Sequence, residues 1–267
     1  MSKELEIMGS KIRKTILKLA MQAANAGKGS HLGGAMSAVE ILSYLFFSKK
    51  FKFAPKGNER FILSKGHASL VLYSTLYHYG CLSESDILAY PCNDTSFLGH
   101  PVQDRSSGIE FSTGSLGMGL SMASGTALSI KKKGDKENVF VLVGDGELNE
   151  GIVWESLRFI VHNDLSNLTV LVDSNKFQQT GTTEVISKPN NIPDSLRNLG
   201  LFVKEIDGHS YLEIENALSA TINCASPSVI YLNTIKGRGL PERDDMNYYH
   251  HVLLPKSVLE ELYQSQL

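Results

Sequence analysis

Runs of apolar residues alternate along the chain with segments in which apolar residues recur every three or four positions. The two longest runs, at 139–143 and 168–172, are rich in Val and Leu and carry almost no polar position. Such runs are typical of parallel strands that are buried on both faces. The same reasoning predicts further strands at 60–63, 202–206 and 229–234.

Helical periodicity fills most of the remaining chain. In the first segment Ile12, Ile16 and Leu19 recur at helical spacing and form one apolar face. The pattern predicts helices at 3–25, 36–47, 66–79, 83–90, 115–129, 151–163, 212–225 and 254–267. Strands that alternate with helices indicate an α/β fold, here one domain over 1–267 with a doubly wound, mostly parallel sheet and helices on both faces.

The two longest strands each end in residues that suit a cation or a phosphate. The first stops at Gly-Asp-Gly (144–146), where the glycines let backbone N–H groups approach a ligand, and the second at Asp-Ser-Asn (173–175). Because a crossover helix joins them, Asp145 and Asn175 should lie at one edge of the sheet, where open α/β sheets bind ligands. Oxygen ligands completed by phosphates suit Mg²⁺, so the sequence predicts a magnesium–diphosphate site.

Five segments in order resemble the thiamine-diphosphate-binding half of transketolases. They are AGKGSHLGG (26–34), FILSKGHAS (61–69), LGHP (98–101), FSTGSLGMGL (111–120), and GDGELNEG (144–151) with Asn175 after it. The resemblance covers almost the whole chain. It implies the diphosphate-binding module of the thiamine-diphosphate fold, as the N-terminal subunit of a split transketolase.

The resemblance also implies the cofactor and its ligands. Thiamine diphosphate would be held with Mg²⁺, or with another divalent cation such as Ca²⁺ or Mn²⁺. The metal ligands would be Asp145, Asn175 and the backbone carbonyl of Phe177. The cofactor-binding residues implied are His67, Gly114, Leu116, Asp145, Gly146, Glu147, Asn175 and Lys236.

The catalytic residues implied by the resemblance are His31, His100, His250 and Glu150. The histidines would line the substrate channel, where imidazole can donate, accept and transfer protons near neutral pH. Glu150 would pair across a dimer with the glutamate that activates the cofactor. The chain departs from the family pattern at His251, which stands where the family has glycine, and this leaves open which of the two adjacent histidines faces the site.

The implied reaction is transfer of a two-carbon ketol unit from a ketose, by default a ketose phosphate, to an aldose acceptor. The motifs cover only the diphosphate-binding module, so a C-terminal subunit with the pyrimidine-binding module is implied, in an α2β2 heterotetramer. Two alternatives stay open. One is a subunit of an enzyme that uses 2-oxo acids, like deoxyxylulose-phosphate synthase or a dehydrogenase E1. The other is a non-catalytic assembly subunit that kept the fold.

The composition argues against two classes of partner, nucleic acids and membranes. The formal net charge of −2 lacks the basic excess of a nucleic-acid binder, and no apolar stretch of about 18 residues is present to cross a membrane. Cys81, Cys92 and Cys224 have no metal-ligand spacing and cannot all pair with one another. We therefore expect reduced thiols, a cytoplasmic location, and neither nucleic-acid nor membrane partners.

Overall fold

The computed structural model describes residues 2–91, 95, 97–188 and 191–266; Cys92 lies outside them. Within these residues five parallel strands form one sheet in the order β1-β2-β3-β5-β4. The predicted fold class is confirmed. The strands are β1 (Arg60–Leu63), β2 (Val139–Gly144), β3 (Leu168–Ser174), β4 (Phe202–Asp207) and β5 (Ser228–Asn233).

Successive strand residues point into two different cores, one on each face of the sheet. On β2, Phe140 and Leu142 join one core, whereas Val139, Val141 and Val143 join the other. All of these side chains are fully buried. This period of two places apolar residues on both faces, and it explains why the central strands are apolar throughout.

Eleven α-helices surround the sheet in the part of the chain that is described. The first core is packed by helices from the start of the chain and from its end, and the second by the helices on either side of β2. The helices are α1 (Ser2–Asn25), α2 (Leu32–Met36), α3 (Val39–Phe47), α4 (Ser69–Tyr79), α5 (Glu84–Leu88), α6 (Met118–Lys133), α7 (Gly151–His162), α8 (Thr183–Ile186), α9 (Ile192–Asn198), α10 (Tyr211–Ile222) and α11 (Lys256–Ser265).

Two predicted helices differ in detail from the structure. The helix expected at 36–47 begins only at Val39, because Met36 ends a separate, unpredicted helix and Ser37 turns its hydroxyl onto the buried carboxylate of Asp173. The helix expected at 66–79 begins with a short 3₁₀ turn, Gly66–Ala68, before α4. Both differences lie beside the carboxyl end of the sheet, where tertiary contacts override local preference.

The pattern analysis missed α8 and α9. The helix α9 did carry a start signal: Asn191 caps it by accepting from the backbone N–H of Asp194, and Pro193 lies in its first turn. α8 is a single turn and too short for a periodic pattern. No helix among the described residues combines the length and the apolar character needed to cross a membrane.

Candidate active site

A cavity of about 550 Å³ lies at the carboxyl ends of the strands. β2 and β3 pair there, with Gly144 opposite Asp173, so Asp145 and Asn175 emerge side by side. Every residue that the sequence analysis placed in the site lines this cavity. The motifs, spread over most of the chain, are thus brought together, while their individual roles remain predictions.

Several lining residues were not predicted. Lys65 follows β1 and Gly34 belongs to α2, whereas Gln178, Gln179 and Thr180 come from the loop after β3. The glutamines and the threonine carry no motif that the sequence analysis could use. Lys65 stands inside the Ser-Lys-Gly-His segment already singled out, so its position was a signal that could have found it.

Asp145 is held by backbone amides. Its carboxylate accepts from the N–H of Lys176 at 2.7 Å and from the N–H of Gly146 at 2.9 Å. Burial, together with the nearby charge of Asp173, raises the pKa of Asp145 to about 6. The carboxylate therefore carries an unfavourable charge at neutral pH that a divalent cation would stabilise.

The side chain of Asn175 has a fixed orientation. Its amide nitrogen donates to the Asp173 carboxylate at 3.2 Å, and its amide oxygen accepts from the N–H of Phe177 at 3.2 Å. The oxygen is thereby directed away from the buried acid. A carboxylate, an amide oxygen and a carbonyl make a donor set that fits a hard cation such as Mg²⁺.

Protein ligands alone do not complete such a site. Among the described residues no group of three or more His, Cys, Asp or Glu side chains could hold a metal ion. Asp145, Asn175 and the Phe177 carbonyl would supply three oxygen ligands, and an octahedral Mg²⁺ would take the others from phosphate or water.

A buried polar network around Asp173 supports the floor of the site. Lys65 forms an ion pair with its carboxylate, and both side chains are 1% exposed. The hydroxyls of Ser37 and Thr234 and the amide of Asn175 also donate to it. Burial alone would raise the pKa of Asp173, but the charge of Lys65 and these hydrogen bonds hold it below its usual value.

Glu147 has a structural contact that sequence reasoning missed. The resemblance implies that Glu147 binds the diphosphate, through its backbone N–H. In the structure its buried carboxylate accepts from the Ser64 hydroxyl, from the N–H of Gly117 at 2.7 Å and from the N–H of Gly144 at 3.0 Å. Burial raises the pKa of Glu147. The side chain thus ties the ends of β1 and β2 to the loop that leads into α6.

Lys236 reaches the cavity from the segment after β5 and is buried. Its ammonium donates to Asn247 at 2.6 Å, to His250 Nδ1 at 3.1 Å and to the carbonyl of Gln178 at 3.3 Å. Asn247 also donates to the carbonyl of Gln179 at 2.7 Å. The ammonium therefore fixes His250 with Nδ1 as the acceptor and joins the late segment of the chain to the loop after β3. Burial lowers the pKa of Lys236 to about 8.

Five histidines cluster at the cavity. Burial and neighbouring positive charges lower the pKa of His31 to about 3 and of His250 to about 4, and hold the pKa of His67 well below its usual value. The His31 ring lies 5.7 Å from His100 and 4.6 Å from His251 between centroids. With pKa values this low, the rings of His31, His67 and His250 are neutral at neutral pH and can both donate and accept hydrogen bonds.

The structure separates the two adjacent histidines. His250 lines the cavity and stacks on His67, with ring centroids 5.4 Å apart. His251 is exposed and packs at the edge of the cluster, against His31 and the backbone near Gly29. Of the two, His250 therefore faces the site directly.

Comparison with known families and proteins agrees with this geometry. The family described as "Transketolase, thiamine diphosphate binding domain" matches residues 8–264. The chain is 34% identical to one subunit of the apulose-4-phosphate transketolase of Actinobacillus succinogenes, over 99% of this chain and 96% of that protein. It is 35% identical to the SqwG subunit of the 6-deoxy-6-sulfo-D-fructose transketolase of a Clostridium species, over 88% and 86% respectively.

Full-length transketolases match over only part of their length. Human transketolase is 34% identical over 92% of this chain but 40% of its own. The crystal structure of transketolase from Campylobacter jejuni superposes with a TM-score of 0.85 at 26% identity, covering 97% of this chain and 42% of that one. The chain thus spans about two fifths of these longer relatives.

Proposed function

This chain belongs to the transketolase family, and we propose that it is the thiamine-diphosphate-binding subunit of a split transketolase. The proposal rests on one observation above all. The cavity at the strand ends gathers an oxygen donor pair, two lysines and a histidine cluster, and it lies in the domain that the family uses to bind thiamine diphosphate.

The residues present fit the cofactor. Asp145 and Asn175, with the Phe177 carbonyl, would hold Mg²⁺ or a related divalent cation against the diphosphate. Lys236 and His67 line the same cavity and would contact the phosphate oxygens. Gly114 and Leu116 would contact the aminopyrimidine ring, and Gly146 and Glu147 would offer backbone N–H groups. When bound, thiamine diphosphate supplies the nucleophilic carbon needed to cleave a ketose next to its carbonyl group.

The histidines supply hydrogen bonds and proton transfer. Because burial keeps His31 and His250 neutral, each ring has one donor and one acceptor nitrogen. His100 is exposed at the mouth and suits the orientation of an entering substrate. Lys236 donates to His250 Nδ1, which leaves the Nε2 proton of that ring for a substrate oxygen.

Sugar phosphates are the proposed substrates: a ketose phosphate as donor and an aldose as acceptor. Relatives of similar length are named for apulose 4-phosphate and for a sulfonated fructose. Both names describe sugars that carry an anionic group.

A second chain is required to complete the site. The relatives that match over most of their length are themselves named as subunits. Close in sequence to the cavity-lining residues, four large apolar side chains are exposed: Val102 by 39%, Met118 by 37%, Val185 by 77% and Leu253 by 53%. We propose that a subunit with the pyrimidine-binding module covers the mouth of the cavity in an α2β2 heterotetramer, where Glu150 would meet the activating glutamate.

The location we propose is the cytoplasm. Cys81 and Cys224 are free thiols, as expected of a protein from a reducing compartment.

Reconstitution tests the proposed function. The chain alone, and the chain mixed with a subunit that carries the pyrimidine-binding module, are assayed for transfer of a two-carbon unit from a ketose phosphate to an aldose. We expect no turnover by the lone chain and turnover by the pair. Full turnover by the pure, lone chain would contradict the split-site proposal.

The same reconstituted pair separates the alternatives. Release of carbon dioxide from pyruvate, without ketol transfer, would assign the chain to the enzymes that use 2-oxo acids. A pair that binds no thiamine diphosphate in calorimetry, with or without Mg²⁺, would indicate a non-catalytic assembly subunit. The joint presence of Asp145, Asn175 and the histidine cluster favours catalysis over that last alternative.

A further inference from the structure

The segment that carries Lys236 is anchored from behind, on the side away from the cavity. Three side chains from distant parts of the chain bind its backbone. His209 Nε2 accepts from the N–H of Ile235 at 2.9 Å. Arg13 donates to the carbonyl of Arg238 at 3.2 Å, and Gln266 donates to the carbonyl of Gly239 at 2.8 Å. We call this stretch, residues 235–239, the lysine segment.

The contact with Ile235 fixes the proton on His209. Because the Ile235 N–H can only donate, Nε2 of His209 has to be the unprotonated nitrogen. The ring proton then sits on Nδ1, which lies 3.0 Å from the Glu40 carboxylate. His209 therefore bridges an acid and an amide as a neutral ring of defined tautomer.

Glu40 joins two of the anchors. Its buried carboxylate accepts from His209 and forms an ion pair with Arg13. Burial alone would raise the pKa of Glu40, but the hydrogen bond from His209 and the charge of Arg13 hold it below its usual value. The ionised acid thus ties α1, α3 and the turn before α10 to the lysine segment.

Contacts on the opposite side of the lysine segment restrict its movement. The N–H of Gly237 donates to the carbonyl of Gly33 at 2.9 Å. The Lys236 side chain passes so close to Gly33 that an added Cβ there would lie 2.9 Å from Lys236 Cγ. Any shift of Ile235 would therefore be transmitted directly to the neighbouring lysine, whose ammonium has to reach Asn247 and His250.

We infer that His209 is a positioning residue, which aims the Lys236 ammonium into the cavity by holding the Ile235 amide from the far side. His209 itself does not line the cavity. Its contribution to the site rests on the proposed function, because that function gives Lys236 its cofactor. The geometric relation between His209 and Lys236 does not rest on it, and it can be tested without any ligand.

The test follows the protonation of Lys236 by NMR of the lysine side chains in the ligand-free chain, with Lys236 assigned through a Lys236→Arg variant. In the unmodified protein this lysine should titrate near pH 8. In His209→Ala the Lys236 ammonium should be held less firmly and become more exposed to solvent. Its titration should then move upward by more than about one pH unit, toward the ordinary lysine value near 10.4.

Two further variants make the result specific. His209→Gln keeps a donor and an acceptor at this position, so the pKa of Lys236 should stay well below the ordinary lysine value. His78→Ala is the matched control, because this α4 histidine also binds a hydroxyl and a carbonyl, those of Thr15 and Lys11, but it has no contact with the lysine segment. If His209→Ala fails to fold, His209→Asn replaces it in the comparison with the unmodified protein. The asparagine side chain is too short to reach the N–H of Ile235.

An unchanged Lys236 titration in a folded His209→Ala protein would overturn the inference, and so would an equal shift in His78→Ala. Either result would leave the proposed function intact, since reconstitution and cofactor binding are measured separately. Conversely, a pair that fails to bind thiamine diphosphate would leave the link between His209 and Lys236 standing.

Discussion

Two aspartates at the ends of neighbouring strands lie at the same edge of the sheet but in very different environments. Asp173, at the end of β3, is fully buried and receives an ammonium, two hydroxyls and an amide. Asp145, just after β2, is bonded by two backbone amides. Among the described residues it has no ion-pair partner. The pKa of Asp173 is held low, whereas that of Asp145 is raised to about 6.

This difference in surroundings distinguishes an aspartate that supports the structure from one that can bind a ligand. A buried charge that already has all its partners is unavailable to a ligand, and the fold loses stability when one of those partners is removed. A buried charge without a cation costs free energy until a ligand supplies one, and such groups cluster at functional sites. Asp173 therefore builds the floor of the cavity, and Asp145 is the residue that remains available to a metal.

The largest expected effect follows from breaking the Asp173 network. Asp173→Ala leaves the Lys65 ammonium buried without its partner, so the free energy of unfolding should fall by about 3–5 kcal/mol. Chemical denaturation of the ligand-free chain measures this. Lys65→Met should cost a similar amount, and the double variant should cost less than the sum of the two. A loss below about 1 kcal/mol for both single variants would show that Asp173 is not structural.

Asp145 should respond in the opposite direction. Its folded pKa of about 6 lies above the unfolded value near 3.8, so the folded state holds the proton more tightly. The resulting stabilisation is full below pH 3.8 and is lost as pH rises to about 6. Above pH 6 the ionised carboxylate therefore costs about 3 kcal/mol. In metal-free protein, Asp145→Asn should recover much of that at pH 8 and almost none below pH 4.

Calorimetry on the same variant completes the comparison. Asp145→Asn should lose most of the Mg²⁺-dependent binding of thiamine diphosphate, and Asp145→Ala should abolish it. The stabilised variant would thus be the inactive one, a stability–function trade-off confined to one side chain. Undiminished affinity in Asp145→Ala would refute the metal assignment, and a destabilised metal-free Asp145→Asn would contradict the electrostatic argument.

The sequence predicts the fold and the place of the site because both depend on local patterns. The apolar runs of β2 and β3 identify buried strands, and a Gly-Asp-Gly turn after one of them brings Asp145 to the ligand-binding edge. Asp145 and Asn175 then come together because neighbouring parallel strands end at the same edge, whereas His31, His100 and His250 lie outside the strand ends and are assigned to the site by the family resemblance. No long-range contact has to be known for these conclusions.

The unpredicted features depend on contacts between distant segments. Lys65 and Asp173 are charged residues whose burial cannot be deduced from their neighbours, and they are paired across 108 positions of the sequence. His209 looks like an ordinary loop histidine until the structure places it between Glu40 and Ile235. The break between α2 and α3 likewise exists because Ser37 reaches Asp173.

The smallest expected effect comes from a third aspartate, on the surface. Asp194 pairs with Arg197 on α9 at 2.6 Å, but their side chains are 56% and 42% exposed. Water solvates both charges well, so the pair contributes little to folding. Asp194→Ala should leave the denaturation midpoint within experimental error and should not change cofactor binding. A shift comparable with that of Asp173→Ala would mean that burial is not what distinguishes these aspartates, and the contrast between Asp145 and Asp173 would need another cause.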